Sequence, residues 1–213
     1  MDIKYFVRTT GERKLDDSLK QIEYELLIDS DHKPIESFIA QLKYISNFNA
    51  VLLEDDVILC RDFKNKIEKV IETYQDDIIN FYTKPLIYFT TQYSMNFSYN
   101  QCTYYPKGIT DKIADKMIEV YDPNKSFGYD VLEFSALNKL KIPHLPYRPC
   151  LVQHNDKDSL ISQSHESRIT PYFIDYLEDL KIEYFNKECI LKTTDLLKYR
   201  NKQLNVELIK KDA

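Results

Sequence analysis

Glu54-Asp55-Asp56 interrupts a short apolar run, with Val51-Leu52-Leu53 before it and Val57-Ile58-Leu59-Cys60 after it. Three adjacent carboxylates in a buried segment carry a large desolvation cost unless a cation offsets it. Carboxylate oxygens at a strand end are hard ligands suited to Mg²⁺ or Mn²⁺, ions that keep coordination positions open for substrate phosphates. In an open α/β sheet such ligands gather outside the carboxyl ends of the strands. The competing reading is a core strand at Val51 to Leu53 followed by a solvated acidic turn that leads into a helix from Asp62.

The elements that must position these carboxylates alternate from the first residue. Ile3 to Arg8 reads as a strand. A polar loop, Thr9-Thr10-Gly11-Glu12-Arg13, follows it and leads into a helix reaching about Ile22. Glu25 to Ile28 is a second strand, ending in Asp29-Ser30-Asp31-His32. Pro34 opens a helix whose stripe is Phe38, Leu42, Ile45 and Phe48. After the acidic strand, Phe63, Ile67, Val70, Ile71 and Tyr74 mark another helical face. Strand and helix in alternation with short connections predict parallel βαβ units, whose crossovers bring the strand ends to one side. The loops at Thr9 to Arg13, Asp29 to His32 and Glu54 to Asp56 are therefore expected to converge.

From about Ile78 to Tyr105 the chain turns to short aromatic-rich strands, which predict a more antiparallel half of the sheet. Helices follow at about Thr110 to Tyr121 and Asp130 to Leu140. A stretch punctuated by Pro143, Pro146 and Pro149 then leads to Leu151-Val152-Gln153-His154. Residues 168–213 read as a polar helical extension. The expectation is a single α/β domain over 1–213, with a mixed, mainly parallel central sheet flanked by helices; the chain is also compatible with being part of a longer one.

Composition narrows the function. A net charge of -5 with a pI near 5.5 gives no support for a nucleic-acid partner. No apolar run approaches the roughly 20 residues needed to span a bilayer, and no signal peptide opens the chain, so a soluble, intracellular, cytoplasmic protein is expected. Cys60, Cys102, Cys150 and Cys189 are scattered among apolar neighbours without Cys-x-x-Cys spacing, which reads as buried free thiols. The 3 glycines, Gly11, Gly108 and Gly128, form neither a Rossmann nor a Walker phosphate loop. A nucleotide would have to be held by a metal and side chains.

The acidic triplet, Gly128-Tyr129-Asp130 opening a helix, and Pro149-Cys150-Leu151-Val152-Gln153-His154 together resemble small nucleotide-sugar-dependent glycosyltransferases of the GT-A (Rossmann-like) fold. Val51-Leu52-Leu53-Glu54-Asp55-Asp56-Val57 is similar to the Leu-Glu-Asp-Asp-Val strand end of the lipooligosaccharide and procollagen galactosyltransferase group, a DxD-type motif. Thr103-Tyr104-Tyr105-Pro106-Lys107-Gly108-Ile109 resembles that group's aromatic strand and turn. Leu151-Val152-Gln153-His154 with Ser159-Leu160 resembles the Leu-Val-Gln-His-x-Gly-x-x-Ser ending of related N-acetylglucosaminyltransferases, with Asn155 or Asp156 in place of the glycine. Enzymes that glycosylate the capsids of large algal viruses are the subgroup it is most similar to, which would place the protein in a host cytoplasm.

The resemblance implies a Mn²⁺- or Mg²⁺-dependent transferase acting from a nucleotide-diphosphate sugar, UDP-sugar favoured, onto a glycan or glycoprotein, with inversion. Asp56 is expected to bind the metal directly. Glu54 would share its side of an extended segment and act through water or the sugar and ribose hydroxyls. His154 is the candidate third ligand, an imidazole favouring Mn²⁺; its alternative is a satisfied histidine ending a core strand. Arg13 and Lys157 are candidates for the diphosphate, or else surface charges.

Thr9, Thr10, Asp29, Asp31 and Asp55 are candidates for the nucleoside and its surroundings, with helix capping as the alternative for Thr10 and Asp31. Asp130, after Gly128-Tyr129, is the candidate general base; otherwise it is an N-cap, with Glu133 as the fallback base. Tyr93, Phe97, Tyr99, Tyr104 and Tyr105 are candidates to stack on sugars, and His32, His144 and His165 read as solvated or structural. Competing functions are a sugar nucleotidyltransferase, a carboxylate-metal nuclease or phosphoesterase, and an inactive nucleotide-sugar- or glycan-binding module.

Overall fold

Tyr5, Phe6 and Val7 are three consecutive buried residues, the mark of a strand covered on both faces. The computed structural model describes residues 1–83, 100–123, 128–155, 170 and 173–179. In chain order the elements are β1 (Ile3–Thr9), a 3-10 turn (Asp17–Gln21), β2 (Tyr24–Ile28), α1 (Pro34–Ile45), β3 (Asn49–Glu54), β4 (Val57–Leu59), α2 (Phe63–Thr73), β5 (Ile78–Asn80), β6 (Cys102–Tyr105), α3 (Ile109–Val120), α4 (Tyr129–Leu140), β7 (His144–Pro146), β8 (Val152–His154) and α5 (Ile174–Asp179).

Six strands form the central sheet in the order β2-β1-β3-β6-β5-β7. β1 pairs in parallel with β2 and β3, and β5 with β7, while β6 runs antiparallel to both of its neighbours. This is the mixed, mostly parallel α/β sheet flanked by helices that the alternation predicts, Rossmann-like in character. β4 leaves it and pairs antiparallel with β8 in a separate two-stranded sheet.

Strand alternation sorts side chains into two layers. Phe6, Ala50, Leu52 and Tyr105 face Phe38, Leu42 and Ile45 of α1, Ile113, Ala114 and Met117 of α3, and Leu132, Ala136 and Leu137 of α4. Tyr5, Val7, Val51, Leu53 and Tyr104 face the other way, onto Leu19, α2 and the β4/β8 sheet. Pro34 opens α1, where the missing N–H costs nothing.

Two local expectations are corrected. The helix expected to reach Ile22 is only the 3-10 turn, because Asp16 accepts from the Ser18 N–H and starts the turn late. The turn's side chains then serve tertiary contacts: Ser18 Oγ accepts from Leu59 N–H, and Gln21 donates to the Cys60 carbonyl and accepts from Phe63 N–H. Phe48 lies beyond the end of α1 and packs on the Phe6 ring, 5.7 Å between centroids.

Cys60, Cys102 and Cys150 are buried free thiols, and Cys189 lies outside the described residues. Among the described residues no helix is long and apolar enough to cross a membrane. Of the C-terminal extension only α5 and a few neighbouring residues are described; Arg61 and Lys66 hold α5 through Asp175, Glu178 and Asp179.

Glu133 shares α4's buried stripe with Leu132, Ala136 and Leu137, and it is 0% exposed. Its Oε1 accepts from the Tyr105 hydroxyl at 2.7 Å and its Oε2 from Asn100 Nδ2 at 2.6 Å; Thr103 in turn donates to Asn100 Oδ1. A sealed carboxyl cannot meet an acceptor hydroxyl, so the fallback base is a core residue. Burial, with a smaller push from Asp130, raises its pKa to about 8 against the opposing hydrogen bonds and Arg8. Folded protein therefore keeps a proton here that the unfolded chain, titrating near 4.5, releases.

Stability contributed by this group should fall as pH rises from about 4.5 to about 8, by on the order of 3 kcal/mol or more. The variant Glu133→Gln mimics the protonated acid and should lose that slope. Urea melts of both proteins at pH 5.5 and pH 8.5 test this, and parallel pH dependence in the two would refute it.

Candidate functional site

β1 has β2 on one side and β3 on the other, so the chain order reverses at β1, the place where open α/β sheets gather ligands at the carboxyl ends of their strands. The three expected loops do meet there. Arg8 is in register with Glu54, Thr9 is in register with Ile28, and Asp29 N–H donates to the Thr9 carbonyl at 2.8 Å.

Arg8 and Glu54 share the α1/α4 face. Arg8 is 6% exposed; its Nη1 donates to Glu54 Oε1 at 3.0 Å and its Nε to Gln41 Oε1 at 3.2 Å. The guanidinium lies 4.0 Å from the Tyr129 ring centroid and 4.9 Å from that of Phe38. The Tyr129 hydroxyl donates to the same Glu54 oxygen at 2.7 Å. Burial raises the Glu54 pKa, with Asp56 adding to it and Arg8 and Tyr129 opposing.

Residues 55 and 56 form a turn, so strand alternation stops at Glu54 and the expectation that Glu54 and Asp56 share a side through extended backbone fails. Asp55 faces Thr9, whose hydroxyl donates to Oδ2 at 2.6 Å. Gly11, at φ 84, reverses the loop in the left-handed region that suits glycine, and its N–H donates to Thr9 Oγ1. The reversal brings Arg13 back over the acidic turn, where Nη1 donates to Asp55 Oδ1 at 3.1 Å and Asp56 Oδ2 at 2.7 Å.

Asp56 meets His154 through the small sheet. Val57 is in register with His154, and Asn155 N–H donates to the Asp56 carbonyl. His154 Nε2 lies 3.2 Å from Asp56 Oδ2, an ion pair when the ring is protonated, although it is not aligned as a hydrogen bond. Burial works against the Asp56 charge, but His154 and Arg13 outweigh it and hold the carboxyl below its ordinary range. Asp56 Oδ1, both ring nitrogens of His154 and Thr10 Oγ1 are buried without a hydrogen-bond partner. Such buried, unsatisfied atoms are few in native proteins, and coordination to a cation is one way to satisfy them.

Other expected residues are placed less centrally. Asp29 is buried and spends Oδ1 on the Lys33 N–H. Asp31 is exposed, with Ser30 as its contact at 3.4 Å, and His32 is an exposed neighbour of Glu12. His144 is buried in β7. Tyr104 and Tyr105 are fully buried, which rules out stacking on a ligand from these two positions. Gly128, not Asp130, is the N-cap of α4; Asp130 sits half-buried in the first turn with Oδ1 accepting from Val131 N–H. Lys157, Tyr93, Phe97, Tyr99 and His165 lie outside the described residues.

Among the described residues no group of three or more His, Cys, Asp or Glu side chains is arranged to hold a metal ion. Asp56 and His154 lie side by side, while Glu54 is turned to Arg8 and Tyr129. Sequence reasoning missed Arg8, Gln41, Phe38 and Tyr129. A charge at the end of the apolar strand β1 was the available signal, the same one that singled out Glu54.

Arg13→Met should destabilise the protein at pH 7 by on the order of 1 to 2 kcal/mol, because Asp55 and Asp56 lose their shared cation. Asp56's folded pKa is lowered, so its contribution is present above pH 3.8 and is lost as pH falls through the folded value. The difference between variant and wild-type melts should therefore shrink below pH 4, and a difference constant from pH 7 to pH 3 would contradict the assignment.

No protein-family model matches the chain, and no curated protein matches it. A solved structure described as "Crystal Structure of A197 from STIV" is similar at 16% identity and a TM-score of 0.48, covering 80% of this chain and 98% of that one.

Proposed function

We propose that the chain is a divalent-metal-dependent glycosyltransferase of the GT-A type, moving a sugar from a nucleotide-diphosphate sugar to a hydroxyl of a glycan or glycoprotein, with inversion. The observation that carries this reading is Asp56 at the carboxyl edge of β1 and β3, its Oδ1 buried without a hydrogen bond and its Oδ2 3.2 Å from the buried His154 Nε2. The resemblance of residues 51–57 and 151–154 to transferase motifs supports the same reading and favours a uridine nucleotide.

Asp56 and His154 fit a divalent cation that keeps several positions for water and phosphate. An imidazole donor favours Mn²⁺ over Mg²⁺. When bound, the metal supplies charge neutralisation on the nucleoside diphosphate as it departs. Glu54 is not in the ligand set here; its carboxylate belongs to Arg8 and Tyr129. Arg13 holds Asp55 and Asp56 together and is the cation nearest the diphosphate oxygens in this reading.

Asp130 takes the proton from the acceptor hydroxyl. That oxygen forms the new bond to the anomeric carbon as the bond from that carbon to the diphosphate oxygen breaks, and the electron pair leaves with the nucleoside diphosphate. Asp130's half-exposed place at the start of α4 supports this role, since Glu133 is sealed in the core.

Arg13 supports a second reading. A guanidinium already neutralises the acidic turn, as it would in a metal-independent nucleotide-sugar-binding module. The two readings part on metal dependence.

Calorimetric titration of UDP- and GDP-sugars with and without Mn²⁺ should give Mn²⁺-dependent binding of one nucleotide class, weakened at least 10-fold in Asp56→Ala. Binding that persists in EDTA favours the module, and no binding to folded protein overturns both readings. Asp130→Asn should keep donor binding and lower turnover by about 10²-fold or more. Unchanged turnover would remove Asp130 as the base.

A further inference from the structure

Three features orient the first turn of α4. The Tyr129 ring lies against the Arg8 guanidinium at 4.0 Å and the Phe38 ring at 4.9 Å, and its hydroxyl donates to Glu54 Oε1 at 2.7 Å. Glu54 is itself held by Arg8, and Arg8 by Gln41 of α1. Gly128 leaves open the space occupied by the neighbouring carboxylate: a Cβ there would lie 2.4 Å from Asp130 Oδ1.

These contacts join four elements. β1 supplies Arg8, β3 supplies Glu54, α1 supplies Gln41 and Phe38, and α4 supplies Tyr129. Glu54 ends the strand that leads directly into Asp55 and Asp56, while Tyr129 directly precedes Asp130. The Tyr129–Glu54 hydrogen bond is therefore a short strut between the acidic turn and the first turn of α4. Its hydroxyl donor is separable from its packing: removing one oxygen leaves the ring on Arg8 and Phe38.

We propose that Tyr129 is a positioning residue which, through its hydroxyl on the Arg8-paired Glu54, sets the placement of Asp130 relative to the acidic turn, with Gly128 leaving the room that this placement needs. Glu54 thus acts in the transfer without touching metal or donor. The inference rests on the transferase reading, in which Asp130 takes the acceptor's proton. It extends that reading by assigning Arg8, Glu54, Gly128 and Tyr129 to alignment of the base. A one-ångström error in such alignment is enough to slow a reaction by orders of magnitude.

The test is steady-state transfer kinetics of Tyr129→Phe and Gly128→Ala, alongside donor binding by calorimetry and thermal melting. Gly128 has φ -70 and ψ 155, a conformation alanine adopts freely, so this variant should fold and displace only the Asp130 carboxylate. Both variants should keep the donor Kd within about twofold and lose about 10-fold or more in kcat. Placing Tyr129→Phe in an Asp130→Asn background should cost nothing further, because the strut acts through a base already removed.

Wild-type kcat in both Tyr129→Phe and Gly128→Ala, with Asp130→Asn inactive, overturns the inference and leaves the transferase reading standing. A full further loss in the double variant also overturns it, since Tyr129 would then act independently of Asp130. Wild-type turnover in Asp130→Asn overturns the role of Asp130 itself and the inference with it. If Tyr129→Phe does not fold, Gly128→Ala alone decides.

Discussion

The buried pair of Arg8 and Glu54 is the constraint around which the carboxyl edge of the sheet is arranged. Two charges in the interior cost several kcal/mol each in lost hydration, and their attraction offsets this only when the remaining donors and acceptors are satisfied. Here Gln41 takes the guanidinium Nε, the adjoining rings of Tyr129 and Phe38 pack against it, and the Tyr129 hydroxyl completes the Glu54 oxygen. These partners come from α1 and α4, and the two charges from β1 and β3. Satisfying one ion pair therefore ties β1 to β3 and both to α1 and α4, and no one of the four can shift without exposing a charge to an apolar neighbour.

The acidic turn obeys a different rule one residue later. Asp55 and Asp56 lie on the opposite layer from Glu54, where Thr9, Arg13 and His154 meet them. Asp55 has both oxygens engaged. Asp56 has one oxygen on Arg13 and one with no partner. The other oxygen of the same carboxylate lies 3.2 Å from the buried His154 imidazole. The triplet divides accordingly: Glu54 pairs with Arg8 and Tyr129, Asp55 braces the loop, and Asp56 keeps one oxygen without a hydrogen bond.

Much of the fold was legible in the chain. The apolar alternation of the first 74 residues predicted β1, β2, α1, β3 and α2 in order, because each has a continuous apolar face that must be covered. The mixed half was legible only as a texture. β6 runs antiparallel between β3 and β5, and nothing local distinguishes an antiparallel insertion from a parallel one. The helix expected before Ile22 shrank to a 3-10 turn whose Ser18 and Gln21 bind the end of β4 and the start of α2, contacts that propensity does not contain.

By itself, the sequence determined that carboxylates would stand at the end of a buried strand and that the loops after β1, β2 and β3 would share an edge. These follow from side-chain type and from periodicity, which act over a few residues. Only the tertiary structure decided that Glu54 belongs to Arg8, 46 residues away, that a turn carries Asp55 and Asp56 to the other layer, that Glu133 is sealed among Asn100 and Tyr105, and that Arg13 lies across the acidic turn. The physical reason is common to all four. A buried charge takes whichever partner the packed elements bring within about 3 Å, and that choice is made by register and layer, neither of which is written in the local sequence.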